Sequence, residues 1–283
     1  MSAHSASASE PSSVPAIEIV RPGFSRGPFE AVLFDFDGTL SLIRRNWQDV
    51  MIPMMVAELS ATGTAETREA LYAHVEEFVM QLNGKQTIYQ MMQLAEEVAA
   101  RGGQALEPLA YKHRYHELLW QQVGGRIEAL RRGQSTPTQM TVPGTRALLA
   151  RLSAAGLPLY LASGTDLKYV RYEADVLDLA QFFGARIYGA LDEYQKFSKA
   201  MIVDHIVREI GVPGPALLGF GDGYVEIEEI KRVGGTAIGV ASNEEARTGV
   251  NAWKRDRLIR AGADVIIGDY AALDGLLNLL QIG

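Results

Sequence analysis

The chain has 283 residues, 47% hydrophobic and 22% charged, so it is long enough for one large domain or two modest ones and apolar enough to bury a core. Its 27 basic and 34 acidic side chains give a formal charge of −7, which provides no long-range attraction for nucleic acid or an anionic membrane surface. The absence of cysteine excludes disulfides, thiolate nucleophiles and cysteine-ligated zinc or iron–sulfur sites.

From Met1 to about Pro28, Ser, Ala and Pro predominate and large apolar residues are few, so residues 1–28 are expected to form a flexible tail. The alternative for part of it, around Ile17 to Val20, is a short edge strand. The N-terminus lacks the cationic start and apolar stretch of a secretion signal, and no run approaches the roughly 20 residues of a membrane span. Cytoplasmic residence is the expectation.

Ala31-Val32-Leu33-Phe34 is a continuous apolar run ending in Asp35, the pattern of a strand buried on both faces of a parallel sheet. Similar runs follow at Leu157–Ala162, Ala216–Phe220, Ala237–Val240 and Asp264–Ile267, with a weaker one at Arg186–Tyr188. Helical spacing lies between them, as in Leu148, Leu149 and Leu152 after Pro143, or Ile202, Ile206 and Ile210 before Gly211. Alternation of this kind predicts a doubly wound, mostly parallel α/β sheet.

The stretch from Ser41 to Met140 reads differently. Ile88, Met91, Met92, Ala95 and Val98 form one helical stripe, and Leu118, Leu119, Val123 and Ile127 another. An all-helical cap over 43–140 is therefore expected, inserted into a core made of 29–42 and 141–283. The methionines Met51, Met54, Met55, Met91 and Met92 are read as core filling.

Ligands bind at the carboxyl ends of strands in open parallel sheets. Here those ends carry Asp35 and Asp37 in Asp35-Phe36-Asp37-Gly38-Thr39, Ser163 in Ser163-Gly164-Thr165, and Asp222 with Glu226. Carboxylates gathered this closely repel unless a cation or protons offset them. An all-oxygen donor set favours Mg²⁺ over zinc. A metal keeps Asp35 ionised as a nucleophile, while Asp37 holds a proton for a leaving oxygen.

This segment resembles the DxDGT signature of the haloacid-dehalogenase superfamily of phosphatases and phosphomutases. Ser163 is similar to the hydroxyl of that family's second motif, Lys199 to the lysine of its third, and Asp222 with Glu226 to the acids of its fourth. The resemblance runs from about Glu30 to Gly268, with the helical insertion where the family carries its type 1 cap. It implies a Rossmann-like core, attack on phosphorus by Asp35, and Asp37 as acid and then base. It also implies Mg²⁺ bound by Asp35, the Asp37 carbonyl, Asp222 and Glu226, with Ser163, Gly164 and Lys199 holding the phosphoryl oxygens. Two departures stand: the last acid is Glu rather than Asp, and Lys196 rivals Lys199.

Elsewhere the readings are plainer. Thr165 and Asp166 are read as helix-capping residues, Glu228 and Glu229 as solvated surface, and Lys254, Arg255, Arg257 and Arg260 as the solvated face of a late helix. His113 and His116 share a helix face but lack a third ligand candidate. The polar break Asn83-Gly84-Lys85-Gln86-Thr87 is either a loop lowered over the substrate or an ordinary linker. Lys85 and Arg44, with Arg45, are the candidate substrate contacts.

The expected function is Mg²⁺-dependent hydrolysis of a small phosphorylated metabolite, a sugar or polyol phosphate, by a monomer or homodimer. A phosphosugar mutase of the β-phosphoglucomutase type and a non-catalytic sensor are the alternatives.

Overall fold

The computed structural model describes residues 15–283. Its strands are β1 (Ile17–Ile19), β2 (Ala31–Phe34), β3 (Leu159–Asp166), β4 (Ile187–Ala190), β5 (Leu217–Gly221), β6 (Thr236–Val240) and β7 (Val265–Ile267). They form one sheet in the order β1-β7-β6-β5-β2-β3-β4, parallel throughout except for β1.

Successive side chains of a strand point to opposite faces. Accordingly Val32 and Phe34 of β2 join one apolar cluster while Ala31 and Leu33 join another. The first face is covered by α5 (Thr145–Ala154), α6 (Leu167–Val176), α7 (Ala180–Phe183) and α11 (Leu273–Leu279), through Leu148, Leu149, Val170, Phe183 and Leu277. The second is covered by α8 (Lys199–Asp204), α9 (Tyr224–Arg232) and α10 (Ala252–Ala261), through Ile202, Ile227 and Leu258. Helices on both faces bury every residue of β2, β5 and β6, which explains why those strands read as unbroken apolar runs.

The doubly wound sheet and its helical cap match the expectation. Between β2 and β3 lie α1 (Gln48–Ser60), α2 (Arg68–Gln81), α3 (Thr87–Ala100) and α4 (Pro108–Arg131). Met51, Met54, Met55 and Met91 are buried there, continuous with the first core cluster. The two crossings from core to cap pair with each other: Leu42 N donates to Met140 O at 2.8 Å and Val142 N to Leu40 O at 3.0 Å. No helix among the described residues is long and apolar enough to cross a membrane.

Two expectations need correction. Residues 1–14 of the anticipated tail lie outside the described residues, but the segment is ordered well before Pro28: Ile17, Glu18 and Ile19 pair with Ile267, Ile266 and Val265. Glu18 accepts two hydrogen bonds from Arg255, at 2.7 and 2.5 Å, a partner far away in sequence that local composition does not reveal. The second concerns Ile210, which is 48% exposed. After Asp204 the helix widens, and Ile210 N donates to His205 O, five residues back. Fewer degrees per residue carry Ile210 off the buried face.

Candidate active site

The strand order reverses around β2, whose neighbours are β3 and β5, the position where open sheets form a crevice. Asp35 stands at its carboxyl end, 6% exposed. Ser198 caps α8 by accepting from Met201 N at 3.1 Å, and the first residue of that helix, Lys199, turns inward. Lys199 Nζ donates to Asp35 Oδ1 at 2.7 Å and lies 2.9 Å from Glu226 Oε2. Lys196, its rival, is exposed and pairs with Glu193. Asp222 completes the group: Asp35, Asp222 and Glu226 each offer an oxygen within 4.8 Å of the others.

Burial pushes the Asp35 carboxyl well above the usual carboxylate range; Lys199 opposes this, and Glu226 and Asp222 raise it further. Lys199 shows the complement. Burial alone disfavours its ammonium, but Asp35 and Glu226 outweigh that effect and hold it charged above the ordinary lysine range. A single lysine shared by two carboxylates therefore leaves Asp35 under-compensated. Three convergent oxygens in that condition fit a hard divalent cation.

Asp37 is half-buried, two residues on. Thr165 Oγ1 donates to its Oδ2 at 2.8 Å and Ser163 Oγ at 3.3 Å, while Arg44 Nε lies 4.0 Å from its Oδ1. Burial raises its carboxyl above the usual range, against the pull of Arg44 and Thr165. Between the two aspartates' segment and Asp222 only glycine fits: Gly38 has φ +74°, and a Cβ there would lie 2.2 Å from Asp222 Oδ2.

Asp35, Asp37, Ser163, Gly164, Lys199 and Asp222 line one cavity of about 690 Å³, with Arg44 and Lys85 on its cap side. Glu226 joins them through Lys199. A family model of haloacid dehalogenase-like hydrolases matches residues 29–234, most of the chain. This chain is a haloacid dehalogenase-like hydrolase.

Solved structures similar to this hydrolase agree in fold. A predicted phosphoglycolate phosphatase from Haemophilus somnus 129pt is 16% identical, with a TM-score of 0.57, over 90% of this chain and 99% of its own. A predicted phosphatase from Clostridium acetobutylicum is 16% identical, with a TM-score of 0.57, over 89% and 100%. A β-phosphoglucomutase from Clostridium difficile is 14% identical, with a TM-score of 0.54, over 89% and 97%. A comparison with curated proteins returns no match.

The hydrolase also contains site residues that the sequence concealed. Lys254, read as solvated, is 7% exposed. Its Nζ donates to Asp222 Oδ2 at 2.7 Å, Glu244 Oε1 at 2.6 Å and Ser242 Oγ at 3.1 Å. Burial disfavours its charge, yet Asp222 and Glu244 hold the ammonium protonated above the usual range. The available signal was Leu258, buried on the same helix face four residues on. Thr165 is no cap either, since its hydroxyl serves Asp37.

Asp166 occupies the N-cap position of α6 but makes no capping bond. Lys112 of the cap lies 2.6 Å from its Oδ1, and His116 Nδ1 lies 3.7 Å from its Oδ2. Burial, then Arg44 and Lys112, depress the His116 imidazole to about 2. His113 is exposed, so the two histidines do not converge. Arg44 is directed at Glu173, with Nη2 2.6 Å from Oε1. Lys85 is exposed at the rim, its ammonium 5.9 Å from the Tyr89 ring.

Proposed function

We propose that this hydrolase is a divalent-cation-dependent phosphatase that removes phosphate from a small monoester through an aspartyl-phosphate on Asp35. The observation that carries this reading is a buried carboxylate, Asp35, bonded to Lys199 and grouped with Asp222 and Glu226, at a cavity lined by Asp35, Lys199 and Asp222. In the first step an Asp35 oxygen forms a bond to phosphorus as the ester P–O bond breaks, and Asp37 gives its proton to the leaving oxygen. In the second, water adds to phosphorus, its proton passes to Asp37, and the bond to Asp35 breaks, releasing inorganic phosphate. The raised carboxyl of Asp37 suits the first role, and its bonds from Thr165 and Ser163 fix its direction. Ser163, Gly164 and Lys199 are proposed to hold the phosphoryl oxygens. Mg²⁺, held by Asp35, Asp222 and Glu226 with the Asp37 carbonyl, would neutralise developing charge on those oxygens.

The cap side of the cavity supports a neutral, hydroxylated substrate body. Asn46, Gln48, Asn83 and Thr87 offer amides and hydroxyls there; Arg44 is paired with Glu173, and the cations Arg45 and Lys85 are equalled in number by Glu76 and Glu77. This balance supplies no second anion pocket, so a sugar or polyol monophosphate fits better than a bisphosphate. The cavity volume is that of a small-molecule site.

Phosphate release across sugar, polyol and nucleotide monophosphates, with Mg²⁺ and with chelator, tests the reading. Metal-dependent release on sugar or polyol esters, abolished by Asp35→Asn, supports it. An isomeric sugar phosphate in place of free phosphate identifies a mutase, and release surviving in Asp35→Asn sinks the mechanism.

A further inference from the structure

The cap loop Asn83–Gln86 is fastened to the core at four places. A Cβ added to Gly164 would lie 2.7 Å from the Lys85 carbonyl oxygen, and one added to Gly84 would lie 3.6 Å from Gly223 Cα. Gln86 Nε2 donates to Phe197 O at 2.7 Å and to Tyr194 O at 3.2 Å. These three contacts meet the very segments that carry Ser163, Asp222 and Lys199. The fourth comes from outside the site.

It is made by Arg257 of α10, read from the sequence as a solvated residue. Its guanidinium donates to the Met80 carbonyl, to Gln81 O at 2.9 Å and to Asn83 O at 3.2 Å. Met80 and Gln81 are the last residues of α2, where the terminal carbonyls carry the negative end of its dipole; Met80 O also accepts from Asn83 N at 3.4 Å. Its last turn has no basic residue. The core supplies the missing cation. The guanidinium is half-buried, 4.6 Å from the Tyr224 ring centroid and 5.1 Å from that of Trp253. Stacking of this kind holds a planar fork in place before it binds.

We propose that Arg257 is a positioning residue for the reaction, which grips the C-terminal end of cap helix α2 from the core and so keeps the Asn83–Gln86 loop lowered over the Asp35 cavity. The conformational half of this inference stands on the contacts alone; its kinetic half rests on the phosphatase reading. Without the grip the lowered loop is populated less, and the apparent affinity for substrate falls by the same fraction. Turnover from the closed complex is unchanged.

The experiment compares the parent with Arg257→Met and Arg257→Lys, all confirmed folded by circular dichroism. Limited trypsinolysis with mass mapping follows the Lys85–Gln86 bond, with cleavage after Lys231 in the core as internal reference. Arg257→Met is expected to speed cleavage at Lys85 about five- to ten-fold over the reference, with Arg257→Lys between it and the parent. For the ester turned over fastest in the phosphate panel, KM rises by a similar factor while kcat stays within about two-fold. Equal cleavage in parent and Arg257→Met overturns the inference, as does an acceleration no larger at Lys85 than at Lys231, which marks general destabilisation. Faster cleavage at Lys85 alone, with no ester turned over by the parent, leaves the grip standing and removes the phosphatase reading.

Discussion

Replacing Lys199 by Met removes the only cation that touches both Asp35 and Glu226 among the described residues. Its ammonium lies 2.7 Å from one carboxylate and 2.9 Å from the other. At an effective dielectric of about 20 each contact amounts to about 6 kcal/mol of attraction. Desolvation of the ammonium offsets much of that sum, and breaking a buried pair by deleting one partner destabilises a protein by about 3–5 kcal/mol. For a chain of this size about 2 °C of Tm follows each kcal/mol, so Lys199→Met melts about 6–10 °C below the parent in chelator. The two carboxylates it leaves behind bind a cation more avidly. Added Mg²⁺ therefore raises the variant's Tm by more than the parent's. Differential scanning fluorimetry in chelator and in Mg²⁺ reads both effects. A variant melting within 2 °C or so of the parent in chelator would refute the reasoning, because the carboxylates would not need Lys199.

Thr165→Val keeps the shape and removes the hydroxyl that donates to Asp37; kcat for phosphate release falls about ten-fold and Thr165→Ser restores it, with Tm almost unmoved. Identical kcat in parent and Thr165→Val would show that Asp37 needs no such guide. The His116 imidazole is depressed to about 2 in the folded chain against 6.5 ordinarily. The unfolded state then takes up a proton that the folded state refuses, so stability is full above 6.5 and is lost as pH falls toward 2. The loss approaches about 1.4 kcal/mol per pH unit between pH 6.5 and about 2. His116→Gln is expected to flatten the decline in Tm between about pH 6.5 and 4.5, and parallel declines in parent and variant would assign it to other groups.

Much of the architecture was legible because strands buried on both faces have no alternative but to be apolar along their whole length. Asp35, Asp37 and Asp222 were legible for a related reason: several carboxylates gathered at the ends of such strands repel one another unless a cation or protons offset them. What escaped notice depends on partners distant in sequence. Lys254 sits in a run of basic residues that reads as a solvated face, and only Asp222 and Glu244, brought near by the fold, make its burial tolerable. Thr165 opens toward Asp37 rather than toward its own helix, a matter of side-chain direction that spacing does not encode. Asp166 and Lys112 neutralise one another across the join of core and cap, and neither position shows the other in the sequence. Edge strand β1 stood only as the alternative to a flexible tail, because its order comes from Arg255 and from the open edge of β7 rather than from local composition.

The paired crossings Leu40–Leu42 and Met140–Val142 have a structural consequence of their own. An insertion whose two ends are hydrogen-bonded to one another begins and finishes at the same point, so its length places no tension on the sheet that hosts it. A change in the length of the insertion beyond that tie is not carried along the backbone to β2 and Asp35. The roof over the cavity is thereby free to diversify around a fixed chemical floor.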